Sequence, residues 1–311
     1  MEKQCTSHLF MVRPVQFGFN ADAAESNAFM ENPETRENPQ HNALRHFDDF
    51  VDHLRRAEVD IYVFTDRPDT YTPDSIFPNN WVSLHADGRV ILYPMEPENR
   101  RLERRMDLIE QLSKDFCVDE IIDLSHLEQQ GIFLEGTGSI VLDRSGKKAY
   151  VCLSSRSNER ALDYWHTQFP DYELIIFEGV DRLGIPIYHT NVMMCVAEDF
   201  AVVCLEALRT PLYRELVTGS LTSSGKEILE ISFEQMESFA GNMLQVENKL
   251  GDKLLVMSQT AFNSLNEEQI SFLRFKNELI IVELGLIETL GGGSARCMLA
   301  EIHLPLRDKP L

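Results

Sequence analysis

The sequence predicts a single α/β domain over residues 1–311, built from a repeated strand–strand–helix–strand module. Three observations carry that expectation. Short β-rich runs alternate with amphipathic helices from end to end. The alternation recurs about every sixty residues, a period suited to radial or stacked repeats. No proline-rich or low-complexity linker divides the chain. The repeat is one of pattern and spacing, not of residue identity.

Taken in order, His8 to Val15 reads as a strand. Asn42 to Ala57 reads as a helix, because Leu44, Phe47, Val51 and Leu54 recur at helical spacing. Asp60 to Thr65 is a second strand. Trp81 to Leu84 and Arg89 to Tyr93 form a hairpin across Ala86-Asp87-Gly88. Leu102, Met106, Ile109 and Leu112 mark a helix, followed by a strand from Glu120 to Leu124. The pattern then recurs: strands Ser139 to Asp143 and Ala149 to Leu153, a helix from Asn158 to Gln168, and a strand from Glu173 to Phe177. Next come Asn191 to Val196 paired with Ala201 to Leu205, a helix from Pro211, and a strand from Glu227 to Ile231. Asn242 to Glu247 and Lys253 to Ser258 pair again, before a helix near Glu267 to Arg274 and a strand from Leu279 to Val282.

Composition narrows the function classes. With 43% hydrophobic and 25% charged residues, the chain has enough apolar content for a substantial core. A formal net charge of −21 argues against nucleic acid and anionic membranes as partners. No apolar run approaches the ~20 residues of a membrane helix, and Met1-Glu2-Lys3-Gln4-Cys5-Thr6 lacks a signal-peptide core. Six scattered cysteines make no disulfide framework, so a reducing cytoplasm is expected. CxxC, HExxH, GxGxxG and GxxxxGK[ST] patterns are absent, so neither a metal nor a cofactor is expected. A small-molecule substrate is the expected partner, and a homo-oligomer is left open.

Four polar or reactive segments sit where apolar strands end. They are Pro73-Asp74-Ser75-Ile76-Phe77-Pro78-Asn79-Asn80-Trp81, Gly131-Ile132-Phe133-Leu134-Glu135-Gly136-Thr137-Gly138-Ser139, Ile187-Tyr188-His189-Thr190-Asn191, and Gly291-Gly292-Gly293-Ser294-Ala295-Arg296-Cys297-Met298. Each has a plain reading alone: a turn, an exposed glutamate, a hydrogen-bonded histidine, a small buried thiol. A cation beside Cys297 would favour thiolate, the nucleophilic form. Together, cysteine, histidine and carboxylate form a minimal set for covalent attack on an unreactive carbon. His303 is close to Cys297 in sequence, but an extended strand would separate them by about 20 Å.

The order Pro-Asp-Ser-Ile-Phe-x-x-Asn, Phe-Leu-Glu-Gly-Thr-Gly, His-Thr-Asn, Gly-Gly-Gly-Ser-x-Arg-Cys-Met resembles the guanidine-modifying (pentein) superfamily. It includes arginine deiminases, amidinotransferases and dimethylarginine hydrolases. The likeness runs the length of the chain, from Met11-Val12-Arg13-Pro14 onward, and is nearest to the citrulline ureidase subgroup. It implies a five-fold pseudosymmetric α/β propeller of ββαβ modules. By resemblance Cys297 is the nucleophile, His189 the general acid/base and Glu135 a substrate-binding carboxylate. Arg156 stands where deiminases hold the substrate α-carboxylate, and Asn79, Asn80 and Asn191 are expected at the substrate.

Deiminase-like relatives carry aspartate in place of Asn80 and Asn191. Losing those charge-assisted bonds weakens guanidinium binding by roughly 1–3 kcal/mol per site. A neutral ureido group instead offers an acceptor and donors, which asparagine satisfies and a carboxylate only half satisfies. The expected reaction is hydrolysis of L-citrulline to ornithine, carbon dioxide and ammonia through S-carbamoyl cysteine. Such a substrate brings no positive charge to favour thiolate, so a Cys297–His189 ion pair is expected before it arrives. An arginine deiminase or an amidinotransferase is the alternative. A third reading is a non-catalytic binder, although the ribosome-associated relatives of this fold lack the Cys/His pair.

Overall fold

The computed structural model describes residues 2–32 and 38–307. Among them, fifteen strands form five three-stranded sheets. Strand β1 (His8–Arg13) leads through the helix Pro39–Arg56 to β2 (Asp60–Thr65), and the two pair in parallel. Asn38 caps that helix by accepting from the His41 N–H, and Pro39 takes the first helical position, where no N–H is needed. Ala43, Phe47, Phe50, Val51 and Leu54 form its buried stripe.

The next four sheets repeat one plan: an antiparallel pair, then a crossover to a third strand parallel to the second. They are β3 (Val82–Leu84), β4 (Arg89–Leu92) and β5 (Glu120–Asp123); β6 (Ile140–Asp143), β7 (Lys148–Cys152) and β8 (Glu173–Phe177). They continue with β9 (Met194–Val196), β10 (Phe200–Val203) and β11 (Glu227–Glu230), then β12 (Leu244–Glu247), β13 (Lys253–Ser258) and β14 (Glu278–Val282). The final β15 (Ala300–Glu301) returns to β1, pairing Leu9 with Glu301 and Phe10 with Ala300. The first sheet therefore takes its leading strand from the far end of the chain, completing the same three-strand plan.

Strands β7, β10 and β13 are buried along nearly their whole length, which explains their near-continuous apolar runs. No described helix is long and apolar enough to cross a membrane.

Three sequence expectations need correction. The helix expected from Leu102 begins at Met106; Leu102 lies in a 3-10 segment, Glu98–Glu103, and is exposed. Ser139 closes a short helix, Gly136–Ser139, rather than opening a strand. Likewise Thr190–Met193 is helical, so Asn191 sits in a turn before β9 and not within it. At both places a buried polar segment precedes the strand, and β-propensity alone does not separate the two.

Candidate active site

The short turns that precede the leading strands carry the polar residues. Pro78–Asn80 precedes β3, Gly136–Ser139 precedes β6, Thr190–Met193 precedes β9, and Ala295–Met298 precedes β15. The first packs against the second and the last, and the second against the third. Residues far apart in sequence meet for that reason.

Cys297 is 3% exposed, and its N–H donates to the Ser294 carbonyl at 3.0 Å. The glycines before it serve close approach. Gly292 has φ +61, the Tyr188 hydroxyl donates to its carbonyl, and Asn27 Nδ2 does so at 3.3 Å. Arg296, adjacent to the thiol, turns its guanidinium away, bonding the Leu299 carbonyl at 2.9 Å and Glu301 at 2.8 Å. His303 also pairs with Glu301, at 3.1 Å.

His189 donates from Nε2 to Glu135 Oε2 at 2.7 Å. Both are buried. Burial pulls the imidazole down to about 4, against the opposing pull of Glu135, so the ring is neutral at pH 7. Burial also pushes the Glu135 carboxyl up, but the Arg156 guanidinium, then His189 and Arg100, outweigh it and hold it at about 2. The Nε2 of His189 is thus committed to Glu135, while the ring and Cys297 line the same cavity.

Glu135 itself stands behind the histidine. Its oxygens accept from the Glu96 N–H at 2.9 Å, from His189, and from Arg156 at 3.4 Å. It is absent from the residues lining the cavity that Cys297 and His189 share. Through its bond to Nε2 the carboxylate orients the imidazole. Arg156 is likewise engaged, with Ser26 Oγ at 2.9 Å and the Ala23 carbonyl at 2.6 Å.

The asparagines separate. Asn80 lines the cavity, its Oδ1 accepting from Arg100 at 3.0 Å and its Nδ2 unpartnered. Asn79 is wholly buried with both side-chain polar atoms unpartnered, and it is not on the cavity wall. Asn191 points Nδ2 at Cys297 Sγ, 3.5 Å away, but lines a neighbouring small chamber with Arg144, Arg296 and Glu301.

Sequence reasoning overlooked three groups. Asp74 lines the cavity with Oδ1 unpartnered, while its Oδ2 accepts from Asn20 at 2.7 Å; burial pushes its carboxyl up. Arg100 also lines it, clamped by Glu103 through two 2.9 Å bonds. Asn242, just before β12, donates to Cys297 Sγ at 3.3 Å. Asp74 was within the Pro-Asp-Ser-Ile-Phe motif. Asn242 was read as the first residue of the strand Asn242 to Glu247, whereas β12 begins at Leu244.

The cavity is narrow and is also lined by Ala23, Asn27, Phe77, Arg156, Tyr188 and the three glycines. Segment Asn20–Glu31 covers one side, tied down by Asn20 to Asp74, Asn27 to Gly292 and the Glu31 N–H to the Thr289 carbonyl.

A family model described as N,N dimethylarginine dimethylhydrolase, eukaryotic, matches residues 13–304. No curated protein matches the chain. Among solved structures, it is similar to ArgZ, an arginine dihydrolase from the ornithine–ammonia cycle in Cyanobacteria, with TM-score 0.75 and 16% identity. That match covers 96% of this chain and 41% of ArgZ, so the chain spans about two fifths of that protein. The N-terminal domain of ArgZ bound to substrate matches with TM-score 0.74 and 16% identity, over 96% of this chain and 98% of the domain. A dimethylarginine dimethylaminohydrolase adduct with S-methyl-L-thiocitrulline matches with TM-score 0.66 and 16% identity, over 96% of this chain and 100% of the other.

Proposed function

The chain belongs to the N,N dimethylarginine dimethylhydrolase family, and from that premise we propose that it hydrolyses the ureido C–N bond of L-citrulline. It is a hydrolase of carbon–nitrogen bonds in the guanidine-modifying superfamily. The observation that carries the ureido reading is the neutral amide surface around the thiol. Asn80 faces the same cavity as Cys297 and His189, while Asn191 and Asn242 turn N–H groups toward the sulfur. We also infer one catalytic domain arranged as a five-fold propeller, supported by the five like sheets and by β15 pairing with β1.

In the proposed reaction, His189 starts neutral and takes the Cys297 proton as the sulfur attacks the ureido carbon. The imidazolium then stands against ionised Glu135, which stabilises it. It gives its proton to the departing ornithine amine as the C–N bond breaks, leaving S-carbamoyl Cys297. Water, deprotonated by His189, attacks that carbonyl; the S–C bond breaks, the thiol is restored, and carbamate falls to carbon dioxide and ammonia. At the other end of the substrate, the free Oδ1 of Asp74 suits an α-ammonium. Arg156 suits the α-carboxylate, which would take the place of the Ala23 carbonyl and Ser26 hydroxyl.

A second reading, a guanidino substrate, is favoured by the family description and by the carboxylate of Asp74 in the cavity. Incubation with citrulline, arginine and agmatine separately, followed by measurement of ornithine, citrulline and ammonia, distinguishes them. Ornithine from citrulline, with arginine untouched, is expected. Citrulline released from arginine would overturn the asparagine argument.

A further inference from the structure

We propose that Asn242 is a catalytic residue of the fourth module, whose side-chain amide grips the Cys297 sulfur and serves both its thiol and thiolate forms; this rests on the Cys297 chemistry proposed above. The turns before β3, β6, β9 and β15 carry Asn80, Glu135 with its following helix, His189 and Asn191, and Cys297. The remaining sheet leads with β12, and the polar residue before it is Asn242.

Its amide is oriented from both ends. Oδ1 accepts the Arg296 N–H at 3.1 Å, and Nδ2 donates to the Asn191 carbonyl at 2.9 Å. Flipping the amide would set an N–H against an N–H and an oxygen against an oxygen, so the orientation is fixed. Held that way, Nδ2 also lies 3.3 Å from Cys297 Sγ, and Oδ1 lies 3.6 Å from it. Asn191 is less constrained, because its Oδ1 has no partner.

The two atoms match the two states of the sulfur. A carbonyl oxygen has two lone pairs, so Oδ1 can accept from the thiol S–H while keeping Arg296. When the proton leaves for His189, Nδ2–H faces the new charge without side-chain movement. The same N–H meets the sulfur again when the S–C bond breaks. Asn242 is wholly buried, where a preoriented donor counts for more than in water. The cation next to the thiol does not do this, because Arg296 turns its guanidinium to Glu301.

The test compares wild type, Asn242→Asp and Asn242→Ser. Asn242→Asp keeps the acceptor for Arg296 and replaces the donor with a second carboxylate oxygen. Iodoacetamide alkylation at Cys297 is followed by peptide mass spectrometry at neutral pH, with Cys297→Ala as background, beside thermal melting and citrulline kinetics. In folded Asn242→Asp the alkylation rate falls about tenfold or more, and kcat falls far more than KM rises. Asn242→Ser, which retains a hydroxyl donor at greater distance, loses about threefold or more. A folded Asn242→Asp alkylated at the wild-type rate overturns the proposal. Should that variant not fold, wild-type alkylation of Asn242→Ser overturns it instead. Alkylation needs no substrate, so failure of the citrulline reading would appear separately, as no ornithine from the wild type.

Discussion

Replacing Glu135 with glutamine removes one charge and almost no volume, at a position with no solvent contact. One glutamine oxygen can still accept the Glu96 N–H. The other side then offers an NH2 group to His189 and Arg156, both of which are donors. An ordinary glutamate titrates at 4.5 and Glu135 at about 2, a gap worth about 3 kcal/mol at neutral pH. Because the folded value is depressed, that stabilisation is fully present above pH 4.5 and is lost as pH falls through about 2. Glu135→Gln should therefore unfold in urea with about 3 kcal/mol less stability at pH 7. The difference from wild type should close progressively below pH 4.5. Activity should fall too, since the imidazolium formed during turnover loses a charge-assisted bond worth about 1.5–3 kcal/mol. That predicts a kcat about ten- to a hundredfold lower. Wild-type stability and kcat in Glu135→Gln at pH 7 would refute the assignment of Glu135 as the histidine's charged partner.

Cys297→Ala should abolish turnover yet still bind citrulline, read as a rise in melting temperature with ligand. Gly138→Ala should lose activity: a β-carbon there would lie 2.5 Å from Asn80 Nδ2 and 2.8 Å from His189 Nδ1, checked by kcat/KM and melting together. Asn80→Asp should lower kcat/KM for citrulline by about tenfold or more and improve inhibition by arginine, a shift measured in parallel assays. His189, ordinarily at 6.5 and lowered to about 4 by burial, takes its proton first in the unfolded chain. Stability should decline as pH falls from about 6.5 to about 4, and His189→Asn should flatten that decline, with His85 and His303, also lowered by burial, keeping part of it.

Much of the fold was legible because alternation between apolar strands and amphipathic helices is local. The helix over Phe47, Val51 and Leu54 and the hairpin of Val82–Leu84 with Arg89–Leu92 follow from periodicity and turn residues. The turns at Gly136–Ser139 and Thr190–Met193 were not, because their backbone direction is set by contacts between modules. At the site, the motif resemblance pointed to Cys297, His189 and Glu135, but not to how their side chains meet. Sequence does not reveal that Glu135 faces Arg156 and Glu96 behind the histidine. Nor does it show that burial neutralises the imidazole. Asn242 was least legible: its side chain matters only through its meeting with a sulfur 55 residues away in sequence.

Acid quench of the enzyme during citrulline turnover, followed by peptide mass spectrometry, tests the central claim most directly. The account predicts a carbamoyl group on the peptide carrying Cys297, with ornithine released in step with its formation and no such adduct in Cys297→Ala. An unmodified Cys297 with citrulline unconsumed, beside an amidino adduct on Cys297 when arginine is supplied, would contradict it.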